Sequence, residues 1–127
     1  MILDASAVLA VLLEEKSSPA VISVLLNNVG NLRMSHVTLA EVVMTLTKRG
    51  AEREEALAVV QDMLQRLDAE LVATTTEQVA QAALAREAFG VNFGDCFVYA
   101  LAREYRAPVL TLDEDFRRTD VNVVPLG

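Results

Sequence analysis

Met1-Ile2-Leu3-Asp4-Ala5-Ser6 opens the chain with a two-residue apolar run that an acid cuts off. Helical spacing of apolar residues follows at once, through Val8, Leu9, Leu12 and Leu13. A strand that short suits the middle of a sheet covered on both faces, where it is buried as soon as it begins. The same rhythm continues down the chain. Residues 32–35, 70–73 and 108–111 are further short strand candidates, the last with Pro108 at its first position, where the missing N–H is tolerated. Helical patterns over residues 38–49, 52–67, 74–89 and 95–105 lie between them. Another, over residues 17–27, opens with Ser17-Ser18-Pro19. Gly50 stands where a C-terminal helix glycine is expected. The segment 52–67 carries the clearest apolar stripe, made of Leu57, Val60, Met63, Leu64 and Leu67. Residues 113–118 read as a turn or one helical turn, and residues 121–124 as a last strand. Alternating strands and helices predict an α/β fold with three layers, α/β/α, around a central, mostly parallel sheet of four to five strands. No repeat, linker or low-complexity stretch interrupts the pattern, so the expectation is a single domain over residues 1–127.

Composition narrows the function classes. The chain has 127 residues, 53% of them apolar and only 5% aromatic, so the core is aliphatic and alanine-rich. Its one cysteine, Cys96, excludes an internal disulfide framework and a cysteine-based zinc site, and reads as a small buried hydrophobe. The single histidine, His36, offers no metal-binding pair and reads as a loop or packing residue. The N-terminal apolar run lacks a basic leader region and already carries Asp4, and no stretch approaches the roughly 18 apolar residues of a membrane span. A soluble, cytoplasmic protein without a membrane role is expected. The formal net charge of −7 argues against non-specific binding of nucleic acid, unless bound cations mask some of the carboxylates.

Functional groups in an α/β fold gather where strands end and helices begin. Asp4 ends the first strand, and Glu41 falls in the first turn of the helix after the second. Asp95 begins the helix before the fourth strand, and Asp113 follows that strand. Each has an ordinary explanation. Asp4, Asp95 and Asp113 can cap helices, and Thr38-Leu39-Ala40-Glu41 has the form of a capping box. Together they invite another reading. Carboxylates that converge in a fold repel one another, and their burial is costly unless a cation shares the site. A donor set of oxygens, without cysteine or a histidine pair, favours Mg2+ or Mn2+ over Zn2+. Such a centre can orient a water and stabilise charge on a phosphoryl oxygen, which is nuclease chemistry.

Four stretches in order carry a family resemblance. They are Met1-Ile2-Leu3-Asp4-Ala5-Ser6, Ser35-x-x-Thr38-x-x-Glu41, Asn92-Phe93-Gly94-Asp95-Cys96-Phe97-x-Tyr99-Ala100-Leu101-Ala102 and Leu110-Thr111-Leu112-Asp113-x-Asp115-Phe116. The pattern resembles PIN domains, and more narrowly the VapC-type toxins of toxin–antitoxin systems, over essentially the whole chain. The resemblance implies a Mg2+- or Mn2+-dependent ribonuclease, a homodimer, and inhibition by a VapB-type antitoxin that masks the acidic site. Asp4, Glu41, Asp95 and Asp113 match the family's acidic positions. Asp4 and Asp95 are cast as primary metal ligands, Glu41 as holder of a water or second ion and a candidate base, and Asp113 as the completing acid. Asp115 can also align to the fourth position; Asp113 is preferred because it directly follows the strand. Ser6 matches a hydroxyl found two residues after the first acid. It is either a cap contact or a water-positioning group. Arg117 and Arg118 are either solvated charges or contacts for an RNA phosphate. The alternative to a nuclease is a catalytically weak PIN-like module for dimerisation or RNA binding. Phosphoryl-aspartate folds fit poorly: one class needs an acid where Ser6 stands, and the other an acceptor Asp where the third strand runs into Thr74-Thr75-Thr76.

Overall fold

A computed structural model of the chain describes residues 1–126. Four strands form one parallel sheet: β1 (Ile2–Leu3), β2 (Arg33–Ser35), β3 (Glu70–Val72) and β4 (Val109–Leu110). Around them lie α1 (Ala5–Leu12), α2 (Ser18–Leu26), α3 (His36–Lys48), α4 (Arg53–Arg66), α5 (Thr76–Phe89) and α6 (Phe93–Tyr105). A 3-10 turn over Glu114–Arg118 follows β4. The strand order is β3-β2-β1-β4, with Ile2 in register with both Arg33 and Val109. The chain therefore builds outward from β1 in one direction and later returns to its other side. That reversal opens a crevice beyond the C-terminal ends of β1 and β4.

The opening dipeptide is central, as its brevity predicts. Ile2 and Leu3 are both fully buried, and alternation sends them to opposite faces. Leu3 joins Met34, Leu110 and the apolar sides of α1 to α4. Ile2 joins Val72, Val109, Phe116 and the α6 residues Val98, Leu101 and Ala102 on the other face. Nine consecutive residues of α6, Gly94 to Ala102, are buried. A helix apolar on all sides must be enclosed, and α6 packs against β1, β2, β4, α3 and α5. Its position is thus set by the core, and the acid in its first turn is held accordingly.

The predicted fifth strand is reduced to a single bridge between Val109 and Val123. Val109 uses both backbone groups there, donating to Asn122 and accepting from Val124, and Pro125 then removes the next donor. Two helix starts also differ from expectation. Ser35, extended at the strand end, caps α3 by accepting from the Val37 N–H at 3.0 Å. The helix therefore begins before Thr38, which is buried inside it, and the Thr38–Glu41 capping box does not form. Glu41 consequently lies in the second turn rather than the first. Helix α6 begins at Phe93 with Asn92 as its cap residue, so Asp95 is its third residue and not its cap.

Candidate metal centre

Asp4 leaves β1 at the sheet's centre and is 3% exposed. Its backbone occupies the cap position of α1, but its carboxylate makes no cap hydrogen bond. Oδ2 instead receives the Ser6 hydroxyl at 2.6 Å and the Thr111 hydroxyl at 2.7 Å. Each hydroxyl has one proton and gives it to Asp4, so each is oriented by what it accepts. Ser6 Oγ accepts from the Leu112 N–H, and Thr111 Oγ1 from the Asp113 N–H, both at 2.9 Å. Two parallel relays thus run from the backbone after β4 to one oxygen of Asp4. Among the described residues Oδ1 takes no hydrogen bond and stays free for a ligand.

The Ser6 hydroxyl is thus engaged by Asp4 and by the backbone after β4. Thr111 does equal work, and its role was not read from the sequence. A threonine at a strand end has no local signature, because its partner is 107 positions away. Thr111→Val keeps the shape and removes both bonds. It is expected to cost about 1–2 kcal/mol of stability and roughly tenfold or more in cleavage rate. Thermal melts and RNA cleavage, with Thr111→Ser as the near-neutral control, check this.

The remaining acids close on the same crevice. One carboxylate oxygen from each of Asp95, Asp113 and Asp115 lies within 4.8 Å of the others. The sequence alternatives for the fourth acid therefore both reach the site. Asp113 also caps the turn after β4, accepting from the Asp115 N–H at 2.9 Å. Burial above all, then the charge of Asp4 and the adjoining Asp113 and Glu41 carboxylates, push the Asp95 carboxyl up to about 8. Burial, with the charges of Asp4 and Asp113, likewise raises Glu41. Glu41 Oε1 and Asp95 Oδ2 are buried without any hydrogen-bond partner. Buried polar atoms are ordinarily paired, so two orphaned carboxylate oxygens amid like charge need a compensating group. A hard divalent cation fits: the donors are all oxygens, several are anionic, and those of Asp95, Asp113 and Asp115 come within common reach, with Asp4 and Glu41 outside that group of three.

Several neighbours take other roles. Arg117 pairs with Glu114 at 2.6 Å, and Arg118 with Asp115 at 3.2 Å, within their own turn. A phosphate contact by either arginine requires that pair to open. His36 lies with Nδ1 3.0 Å from the Val72 carbonyl oxygen, linking α3 to β3. Cys96 is buried, its thiol raised chiefly by burial, and its Sγ lies 3.6 Å from the Val91 carbonyl oxygen. Neither enters the acidic group.

The family model of the PIN domain matches residues 1–122. Ribonuclease VapC36 of Mycobacterium tuberculosis is 30% identical over 132 residues, covering 95% of this chain and 91% of that protein. Ribonuclease VapC of Mycolicibacterium smegmatis is 33% identical over 134 residues, covering 98% and 99%. Among solved structures, Mycobacterium tuberculosis VapC20, described as a sarcin-ricin loop cleaving toxin, superposes with a TM-score of 0.81 at 16% identity over 97% of each chain. A toxin–antitoxin complex from Klebsiella pneumoniae gives a TM-score of 0.76 at 15% identity, covering 98% of this chain and 96% of that one. No helix is long and apolar enough among the described residues to cross a membrane. With a strand order that reverses at β1, acids gathered at that reversal and relatives matched along nearly their whole length, this chain belongs to the PIN-domain family and, within it, to the VapC ribonucleases.

Proposed function

We propose that this chain is a Mg2+- or Mn2+-dependent endoribonuclease, acting in the cytoplasm as the toxin of a toxin–antitoxin pair. The observation that carries the reading is the pair of buried, unpartnered oxygens on Glu41 and Asp95. They stand in a site where burial, and after it the neighbouring acids, raise both groups. Asp4, Asp95 and Asp113 would hold the cation, with Glu41 and Asp115 beside it. When bound, Mg2+ or Mn2+ would offset the carboxylate charge, orient water and stabilise the charge that builds on a phosphoryl oxygen.

The chain's own residues supply the rest. The two hydroxyl relays fix Asp4 Oδ2 and so set the direction in which Oδ1 points. The N-terminus of α6, with its positive dipole end, favours the ionised form of Asp95 against the neighbouring acids. Glu41 is the group suited to take the proton of the attacking water, since burial and like charge make its carboxylate more basic than an ordinary one. Arg118, now paired with Asp115, can exchange that partner for an RNA phosphate when Asp115 turns towards the cation.

A VapB-type antitoxin and a second copy of the chain are the proposed protein partners. The net charge of −7 and the acidic crevice suit an antitoxin segment that presents arginine. An apolar groove between α3 and α4, lined by Leu39, Val43, Met44 and Leu57, lies on the helix that carries Glu41. RNA incubated with the purified chain should be cut internally with Mg2+ or Mn2+ and left intact with EDTA. Cleavage that persists in EDTA would contradict the reading. RNA bound but never cut, at any metal concentration, would leave the binding module as the better description.

A further inference from the structure

Gly94 has no backbone reason to be glycine. Gly30, Gly50 and Gly90 adopt positive φ, where other residues are strained, whereas Gly94 sits in the first turn of α6 outside that region. Glycine inside a helix is unfavourable relative to alanine, so its presence there needs a packing cause. The cause is visible one helix away. A Cβ built on Gly94 would collide with the carboxylate of Glu41, overlapping its Cδ and both oxygens. Glu41 comes from the second turn of α3 and lays its carboxylate directly over the backbone of α6, one residue before Asp95.

We infer that Gly94 is a positioning residue for the metal centre: its missing side chain is the space that lets the Glu41 carboxylate lie beside Asp95. The inference rests on the metal-dependent nuclease reading and adds a residue to it. Two features make the space specific. Gly94 is itself buried, so the carboxylate fills the volume rather than solvent. The atoms that a Cβ would strike are the far end of a flexible side chain, not backbone. An added methyl therefore leaves the fold intact and expels only the carboxylate. The expected phenotype is a well-folded protein with a disarranged site, unlike the instability that follows overpacking of a rigid core.

The test combines Gly94→Ala, Glu41→Ala and the double variant, each followed by thermal melting without metal and by Mn2+ titration read by electron paramagnetic resonance without RNA. Gly94→Ala should melt no lower than the parent chain, since alanine favours the helix. Its Mn2+ affinity should fall roughly tenfold and its RNA cleavage roughly 10²-fold, as small misplacements of reacting groups do. In the Glu41→Ala background the same change should alter Mn2+ affinity by less than about twofold, because the group it displaces is already gone. Parent-like Mn2+ affinity in Gly94→Ala, or a loss that adds in full to that of Glu41→Ala, would overturn the assignment and leave the nuclease reading standing. A parent chain that binds no Mn2+ would overturn the nuclease reading, and the role of Gly94 with it.

Discussion

Asp95→Asn is expected to abolish RNA cleavage and, at the same time, raise the melting temperature of the metal-free chain. Loss of a carboxylate that holds the cation should lower the rate by roughly 10³-fold or more. The stability effect has the opposite sign because the parent carboxyl is destabilising in its place. Its value is pushed from 3.8 to about 8 in the fold, by burial first and then by Asp4, Asp113 and Glu41. Between those two values the unfolded chain has released its proton while the folded chain still holds it. Stability from this group therefore falls as pH rises from 4 towards 8 and levels off above. Asparagine has nothing to ionise and escapes that loss. After a discount for solvent access to the crevice the gain is about 1 kcal/mol, or roughly 4 °C in Tm. Melting both proteins in EDTA at pH 5 and pH 8 is the check, with the difference largest at pH 8. A capping role for Asp95 would give the reverse: the variant would melt lower and still cleave.

The second large effect is stabilisation by the cation, and it should depend steeply on pH. A ligand at a hundred times its dissociation constant adds about 2.7 kcal/mol to the folded state, or roughly 10 °C for a chain of this size. Mn2+ binding requires Asp95 ionised, so protons compete below its value of about 8. Affinity should fall by up to about tenfold for each pH unit below that value. The Mn2+ concentration that adds 2.7 kcal/mol at pH 8 should therefore add only about 0.6 kcal/mol at pH 6. Glu41, raised by burial and by the charges of Asp4 and Asp113, works in the same direction. Differential scanning fluorimetry with and without Mn2+ at both pH values gives the answer. A shift of equal size at pH 6 and pH 8, or one retained by Asp95→Asn, would place the cation elsewhere.

Much of this architecture can be read from short runs of residues. A buried Ile2-Leu3 followed at once by Asp4 already places β1 centrally and an acid at its end. Asp113 after β4 follows from the same strand-end logic, while Asp95 is marked by the enclosed apolar run of α6 behind it. Local rules fail where two residues compete for one task. Ser35 and Thr38 are both competent caps, and only the extended backbone at the end of β2 decides for Ser35. The outcome carries chemical weight: once α3 begins at His36, Glu41 is freed from the capping box and stands over α6. Residues 121–124 have good strand composition, yet one bridge to Val109 is all that forms before Pro125.

Two contributors to the site were hidden for another reason. Thr111 acts through Asp4, and Gly94 through Glu41, so each has meaning only beside a partner more than 50 positions away. Neither leaves a pattern in the residues around it. Asp4 and Asp113 are legible because they stand at strand ends, whereas the groups that aim the acids are known only once the chain is folded.

Asp4, Asp95 and Asp113, from three separate stretches of the chain, are proposed to hold one divalent cation, with Glu41 beside it. Anomalous diffraction from a crystal soaked in Mn2+ tests this assignment most directly. A peak is expected about 2.0–2.2 Å from oxygens of Asp95 and at least one of Asp4 and Asp113, absent in Asp95→Asn crystals. Saturating Mn2+ that leaves this crevice without a peak, while the same crystals' protein cleaves RNA in solution, would contradict it.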